Sequence, residues 1–181
     1  MITSKTELKE YIATDNTWYC PIGFKEKFIA IIAHYPAWQL KRYLYFLRKQ
    51  EYYIANGSKI KGFLGIFYEG RKNALGRKMG IEISPNCFGK GLQIYHAGIV
   101  VNAAVRAGEN CALHGGNCIG NNGLTEDVPR LGNHVDIGYG AIIIGNISIA
   151  DNTVIGANAL VNRSFEEPGS KLVGIPAKRI N

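Results

Sequence analysis

The chain has 181 residues, 46% of them hydrophobic and 19% charged, enough for one core or for two small units. No apolar run reaches the ~18 residues of a membrane span. The N-terminus MITSKTELKEYIA lacks the apolar stretch of a signal peptide, and no nucleic-acid-binding motif is present, so a cytoplasmic protein without a nucleic-acid partner is expected. The charge is uneven: residues 1–80 hold 14 Lys/Arg against 6 Asp/Glu, and residues 81–181 hold 7 against 8. A basic half of this kind suits an anionic ligand or a membrane surface, or is a solvated helical face. Cys20, Cys87, Cys111 and Cys118 show no CxxC spacing and are expected as free thiols.

In chain order, residues 1–80 read as an α-helical segment. Ser4 with Glu7 forms a capping box for a first helix. A second apolar stretch runs from Phe24 to Ala33. Pro36 suits the first turn of a third helix, whose apolar positions Leu40, Tyr43, Leu44, Leu47, Tyr52 and Ile54 share one face up to a stop at Gly57. Ser58 starts a fourth through Ile60, Phe63, Leu64 and Phe67, weakened by interior glycines. The aromatics of this half read as core.

From residue 83 the period becomes six. The inward anchors are Ile83, Gly89, Tyr95, Val101, Ala107, Leu113 and Ile119, then Leu131, Ile137, Ile143, Ile149, Ile155 and Val161. Small or β-branched residues recur four places on, among them Cys87, Val105, Cys111, Val135, Ala141, Thr153 and Ala159. A helix cannot hold a period of six, and repeats this short bury their apolar faces only by stacking. Three hexapeptides make a triangular coil, so equivalent positions recur every third hexapeptide, at the strand spacing of about 4.8 Å. The expected fold is mainly β: a parallel β-helix domain over 81–181, preceded by the helical segment 1–80. Residues 121–130, NNGLTEDVPR, break the pattern and read as a protruding loop. By period alone, His96 and His114, three hexapeptides apart, should sit on one face, one coil apart.

The pattern [Val/Leu/Ile]-Gly-x-x-x-x resembles the hexapeptide-repeat acyltransferases. The stretch IEISPNCFGKGLQIYHAGIVVNAAVRAGENCALHGGNCIG and the ending IGANALVNRSFEEPGSKLVGIPAKRI are similar to the serine O-acetyltransferase branch, which includes capsule and exopolysaccharide O-acetyltransferases. The resemblance covers roughly residues 76–180. It implies a left-handed parallel β-helix, a homotrimer, and acetyl-CoA as co-substrate bound between neighbouring subunits.

The resemblance also implies roles. His96 matches the catalytic histidine, and an imidazole can take a hydroxyl proton near neutral pH. Glu82 stands where the family places an aspartate that fixes this imidazole's tautomer; here the stretch between them is one residue shorter, and a surface carboxylate is the alternative. His114 either contacts the acceptor or thioester oxygen, or packs in the stack. Gly120, Asn121, Tyr139 and Ala157 match positions lining the pantetheine arm, with Tyr139 in place of a small residue. Lys178 meets a CoA phosphate or is simply solvated.

Two departures concern the acceptor. Tyr95 replaces an aspartate beside the histidine, and Asp127 and Val128 replace an Arg-His pair that holds the amino acid's carboxylate. Each lost charge-assisted bond is worth about 1.5–3 kcal/mol. The expected activity is therefore O-acetylation of a sugar or polysaccharide precursor, with Tyr95 and Asp127 facing the acceptor and a possible peripheral contact with a lipid-linked sugar. Serine O-acetyltransferase is the alternative. A zinc hydratase is the less favoured competitor, because a catalytic zinc wants three ligands and His134 is out of phase with His96 and His114. No metal is expected.

Overall fold

The computed structural model describes residues 1–19, 23–57 and 59–180. Cys20 and the expected helix start at Ser58 lie outside the described residues. The chain forms two compact units, Met1–Lys78 and Met79–Asn181.

In the first unit, α1 (Lys5–Asn16) opens on the expected capping box: Glu7 N–H donates to Ser4 Oγ at 3.0 Å, and Ser4 N–H donates to Glu7 Oε2 at 3.1 Å. Then follow α2 (Phe24–Ile32), α3 (Pro36–Ala55) and α4 (Lys59–Met79). Leu40, Tyr43, Leu44 and Leu47 form the buried stripe of α3. Arg48 is fully buried between Asp15 at 2.8 Å and Glu51 at 3.0 Å. Burial works against its charge, and attraction to Glu51 and Asp15 more than offsets it, raising the guanidinium above its ordinary value. The core is less aromatic than the sequence suggests. Tyr53 stacks on Tyr68 at 5.5 Å, but Ile54, Phe63 and Phe67 are exposed.

The second unit is a left-handed parallel β-helix with three sheets. The first sheet stacks β1 (Ile81–Ile83), β3 (Ile99–Val101), β6 (Cys118–Gly120), β9 (Ile142–Ile144) and β12 (Leu160–Val161). The second stacks β4 (Arg106–Ala107), β7 (Arg130–Leu131) and β10 (Ser148–Ile149). The third stacks β2 (Gln93–Ile94), β5 (Ala112–Leu113), β8 (Asp136–Ile137), β11 (Val154–Ile155) and β13 (Lys171–Val173), and closes with antiparallel β14 (Lys178–Ile180). The anchors fill the prism: Val101, Leu113, Ile119, Ile137, Ile143, Ile155 and Val161 are each at most 2% exposed. The small residues four places on line it too, with Val105, Val135, Ala141 and Thr153 at 0%. Fully burying one Val, Leu or Ile is worth about 1.5–3 kcal/mol, and each repeat needs its neighbours to do so.

The coil spacing is not uniform. Ile83 pairs with Val101, three hexapeptides on, but Phe88 pairs with Ala107 and Ile94 with Leu113, each one place further along than that spacing allows. The first coil has lost a residue before Phe88 and regained it after Ile94. Phe88 and Ile94 are therefore the inward side chains, at 4% and 1% exposure, instead of Gly89 and Tyr95; Tyr95 is 42% exposed. Later, Ala107 pairs with Leu131, Leu113 with Ile137 and Ile119 with Ile143, each four hexapeptides on instead of three. The segment 121–130 thus adds the length of one hexapeptide to one coil without disturbing the stack.

Candidate active site

The lost and regained residue decides where the histidines lie. Tyr95, His96 and Ala97 separate the inward Ile94 from Gly98, which has a positive φ of 80°. In the next three coils that corner is shorter by one residue and ends at Gly116, Gly140 and Asn158, all with positive φ. The turn carrying His96 is one residue longer than those stacked beneath it. Tyr95, not His96, consequently lies over His114: Tyr95 N–H donates to Leu113 C=O at 2.9 Å, and the two rings are 4.5 Å apart. The placement expected from a uniform period is corrected to this extent: both histidines are at one corner, but out of phase by one residue.

His96 lies instead over Gly115. A Cβ on Gly115 would meet His96 Cβ at 2.7 Å and Ala97 C=O at 3.0 Å, so a side chain there would occupy the histidine's place. Gly115 is held by its N–H donating to Asn117 Oδ1 at 3.0 Å, and the buried Asn117 donates through Nδ2 to Gly138 C=O at 2.8 Å. Tyr139, 55% exposed, stands edge-on to His96 with ring centroids 6.4 Å apart. His96, Tyr95, His114 and Tyr139 therefore form one cluster where the third sheet turns into the first.

The carboxylate set beside an imidazole is Asp136, not Glu82. His114 Nε2 lies 2.7 Å from Asp136 Oδ1, an ion-pair distance for a protonated imidazole. Glu82 pairs in the sheet with Val100, is exposed, and makes no polar contact with His96, which itself has none among the described residues. Within one chain the tautomer role expected of Glu82 is not realised.

The remaining candidates are dispersed. Gly120, at the far end of β6, accepts from Gly145 N–H at 3.0 Å, and Asn121 Oδ1 accepts from Gly123 N–H at 3.2 Å. Ala157 is exposed on the corner two coils beyond His114, Asp127 is exposed in the loop, Val128 is half-buried, and Lys178 is exposed on β14. Among the described residues no group of three or more His, Cys, Asp or Glu is placed to hold a metal ion. Sequence reasoning does not reach Asp136 or Gly115. Asp136 directly precedes the anchor Ile137, and aligning anchors across the loop is the signal that sets it diagonally below His114.

The chain has counterparts among known proteins. The serine acetyltransferase of Helicobacter pylori (strain ATCC 700392 / 26695) is 38% identical over 105 residues, covering 56% of this chain and 61% of that one. The repeat unit is similar to serine acetyltransferases, which belong to the hexapeptide-repeat acyltransferases. No family model matches the chain. The fold of the chain recurs in soybean serine acetyltransferase complexed with serine, with a TM-score of 0.71 at 19% identity, covering 97% of this chain and 70% of that one. It also recurs in the Brucella abortus strain S19 enzyme in complex with coenzyme A, with a TM-score of 0.70 at 21% identity, covering 97% and 66%. The chain spans about three fifths of the length of the Helicobacter relative. Among the described residues, no helix is long and apolar enough to cross a membrane.

Proposed function

We propose that the protein is an acetyl-CoA-dependent O-acetyltransferase with His96 as general base and L-serine as the acceptor its relatives favour. The observation that carries this reading is His96 itself. Its imidazole is exposed at the lengthened corner turn, over a glycine that leaves it room, in a stretch similar to serine acetyltransferases. The imidazole takes the acceptor hydroxyl's proton as that oxygen attacks the thioester carbonyl. The tetrahedral adduct then expels the CoA sulfur, which recovers the proton from the imidazolium, giving the O-acetyl product and CoA thiol. His114, beside Asp136, is a second imidazole at the same corner. Gly120 and Asn121 lie at the opposite end of the first sheet from His96, so a groove using both sets is best completed by a neighbour in a homotrimer, with Tyr139 and Ala157 against the pantetheine arm and Lys178 near a phosphate.

The relatives support serine over a saccharide acceptor. A carbohydrate hydroxyl is the second reading, and one observation favours it: Asp127 is an exposed carboxylate where serine's own carboxylate would be held. The test is thiol release from acetyl-CoA with L-serine, free sugars and nucleotide sugars offered in parallel. Turnover of serine with kcat/KM near the ordinary range of about 10⁴–10⁸ M⁻¹s⁻¹ supports the first reading. Turnover of a sugar alone establishes the second, and Asp127→Arg with Val128→His should then raise activity on serine. Release with no acceptor offered refutes both.

A further inference from the structure

We propose that α2 is an interfacial helix that docks the protein on an anionic lipid surface. A helix of a water-soluble protein normally turns its apolar stripe inward, and α2 does the reverse. Its inward position is the small Ala30, at 2% exposure, whereas Phe28 is 61% exposed, Ile29 51%, Ile31 41% and Ile32 62%. At 100° per residue these four side chains span about half the helix circumference. Lys25 lies within that arc and Lys27 at its edge, both exposed.

The flanks repeat the pattern. Trp18 before the helix is 53% exposed and Tyr35 after it 52%. Beneath α2 a cavity of about 530 Å³ is lined by Trp18, Tyr35, Trp38 and Lys41, among others, and Lys27 Nζ lies 5.6 Å from the Trp38 ring centroid. Indole and phenol rings with lysines beside them are the side chains that sit at headgroup level.

Charge selects the occupant. All 14 Lys/Arg of residues 1–80 lie within the first unit, against 6 Asp/Glu, while residues 81–181 are near neutral. A second copy would bring two strongly basic surfaces together, whereas an anionic bilayer offers apolar depth and opposite charge at once.

The test uses the full chain and vesicles of phosphatidylcholine, with or without phosphatidylglycerol. The protein should co-sediment with the anionic vesicles and be released as added salt shortens the Debye length from ~10 Å to ~3 Å. Ile31→Gln with Ile32→Gln should weaken binding about tenfold or more, with helix content and melting unchanged because both side chains face out. Should that pair misfold, Lys25→Glu with Lys27→Glu should give the same loss of binding from the charge side. Absence of binding to anionic vesicles at low salt overturns the proposal. So does binding that neither pair alters, or an apolar pair that lowers the oligomer's mass in lipid-free light scattering, which would assign the face to another subunit.

Discussion

Replacing Gly115 by alanine puts a single methyl group where the His96 turn rests. That methyl carbon would lie 2.7 Å from His96 Cβ, 3.0 Å from Ala97 C=O and 3.2 Å from the His96 carbonyl carbon, two of the three being backbone atoms that cannot swing away. Gly115 has a φ of 111°, where an L side chain costs about 1–2 kcal/mol. Overpacking against the neighbouring turn adds about 1–3 kcal/mol. The sum, roughly 2–5 kcal/mol, lowers the melting temperature of a chain this size by about 5–15 °C. If the turn yields instead, His96 moves by ~1 Å, and misplacement on that scale costs about 10²-fold in rate. The assay is thermal unfolding together with the initial rate of thiol release at saturating acetyl-CoA and acceptor. Gly123→Ala is the matched control: φ is 76° and no atom lies within 4 Å, so it carries the backbone cost without the collision. A Gly115→Ala protein with wild-type rate and melting, or with an effect no larger than that of Gly123→Ala, refutes the claim that Gly115 seats His96.

Removing Arg48 leaves Asp15 and Glu51 buried without their countercharge. Arg48→Ala should cost the helical unit about 3–5 kcal/mol, read as an earlier urea transition in far-UV circular dichroism. Thiol labelling of the native protein should reach the exposed Cys118 before the buried Cys87 and Cys111. Burial pushes the Cys111 thiol up to about 11, so the native state keeps a proton that the unfolded chain loses above its ordinary value of 9.0. Stability from this group should therefore fall as pH rises from 9 towards 11, and Cys111→Ala should flatten that slope in pH-dependent melting. The trimer proposal predicts three times the chain mass in light scattering; a monomer at micromolar concentration contradicts it.

The β-helix was legible in the sequence because its core is a recurrent pattern: in most repeats an aliphatic residue every six places and a small or β-branched one four places on, which no helix or hairpin reproduces. The capping box at Ser4 and Glu7 was legible for the same reason, being a local motif with a local cause. What escaped were matters of phase. A residue deleted before Phe88 and restored after Ile94 leaves the stretch from Ile83 to Val101 at three full hexapeptides, so counting alone assigns the wrong inward residues between them. That error puts Tyr95 inside and pairs His96 with His114, when the ring over His114 is that of Tyr95. Asp136 was hidden because the protruding loop falls between it and His114 in the chain, whereas in the stack it lies diagonally across adjacent strands. The outward apolar face of α2 was also illegible, since helical periodicity identifies a stripe but not the side it faces.

The central claim is that His96 performs acyl transfer, and the most direct measurement compares wild-type and His96→Ala protein with saturating acetyl-CoA and L-serine, following free thiol while acetyl-CoA binding is measured separately by calorimetry. The account predicts thiol release and O-acetylserine from the wild type, a rate about 10²–10⁴-fold lower in the variant, and acetyl-CoA affinity nearly unchanged. A variant that keeps the wild-type rate would contradict it, and so would one that loses the rate only because it no longer binds acetyl-CoA.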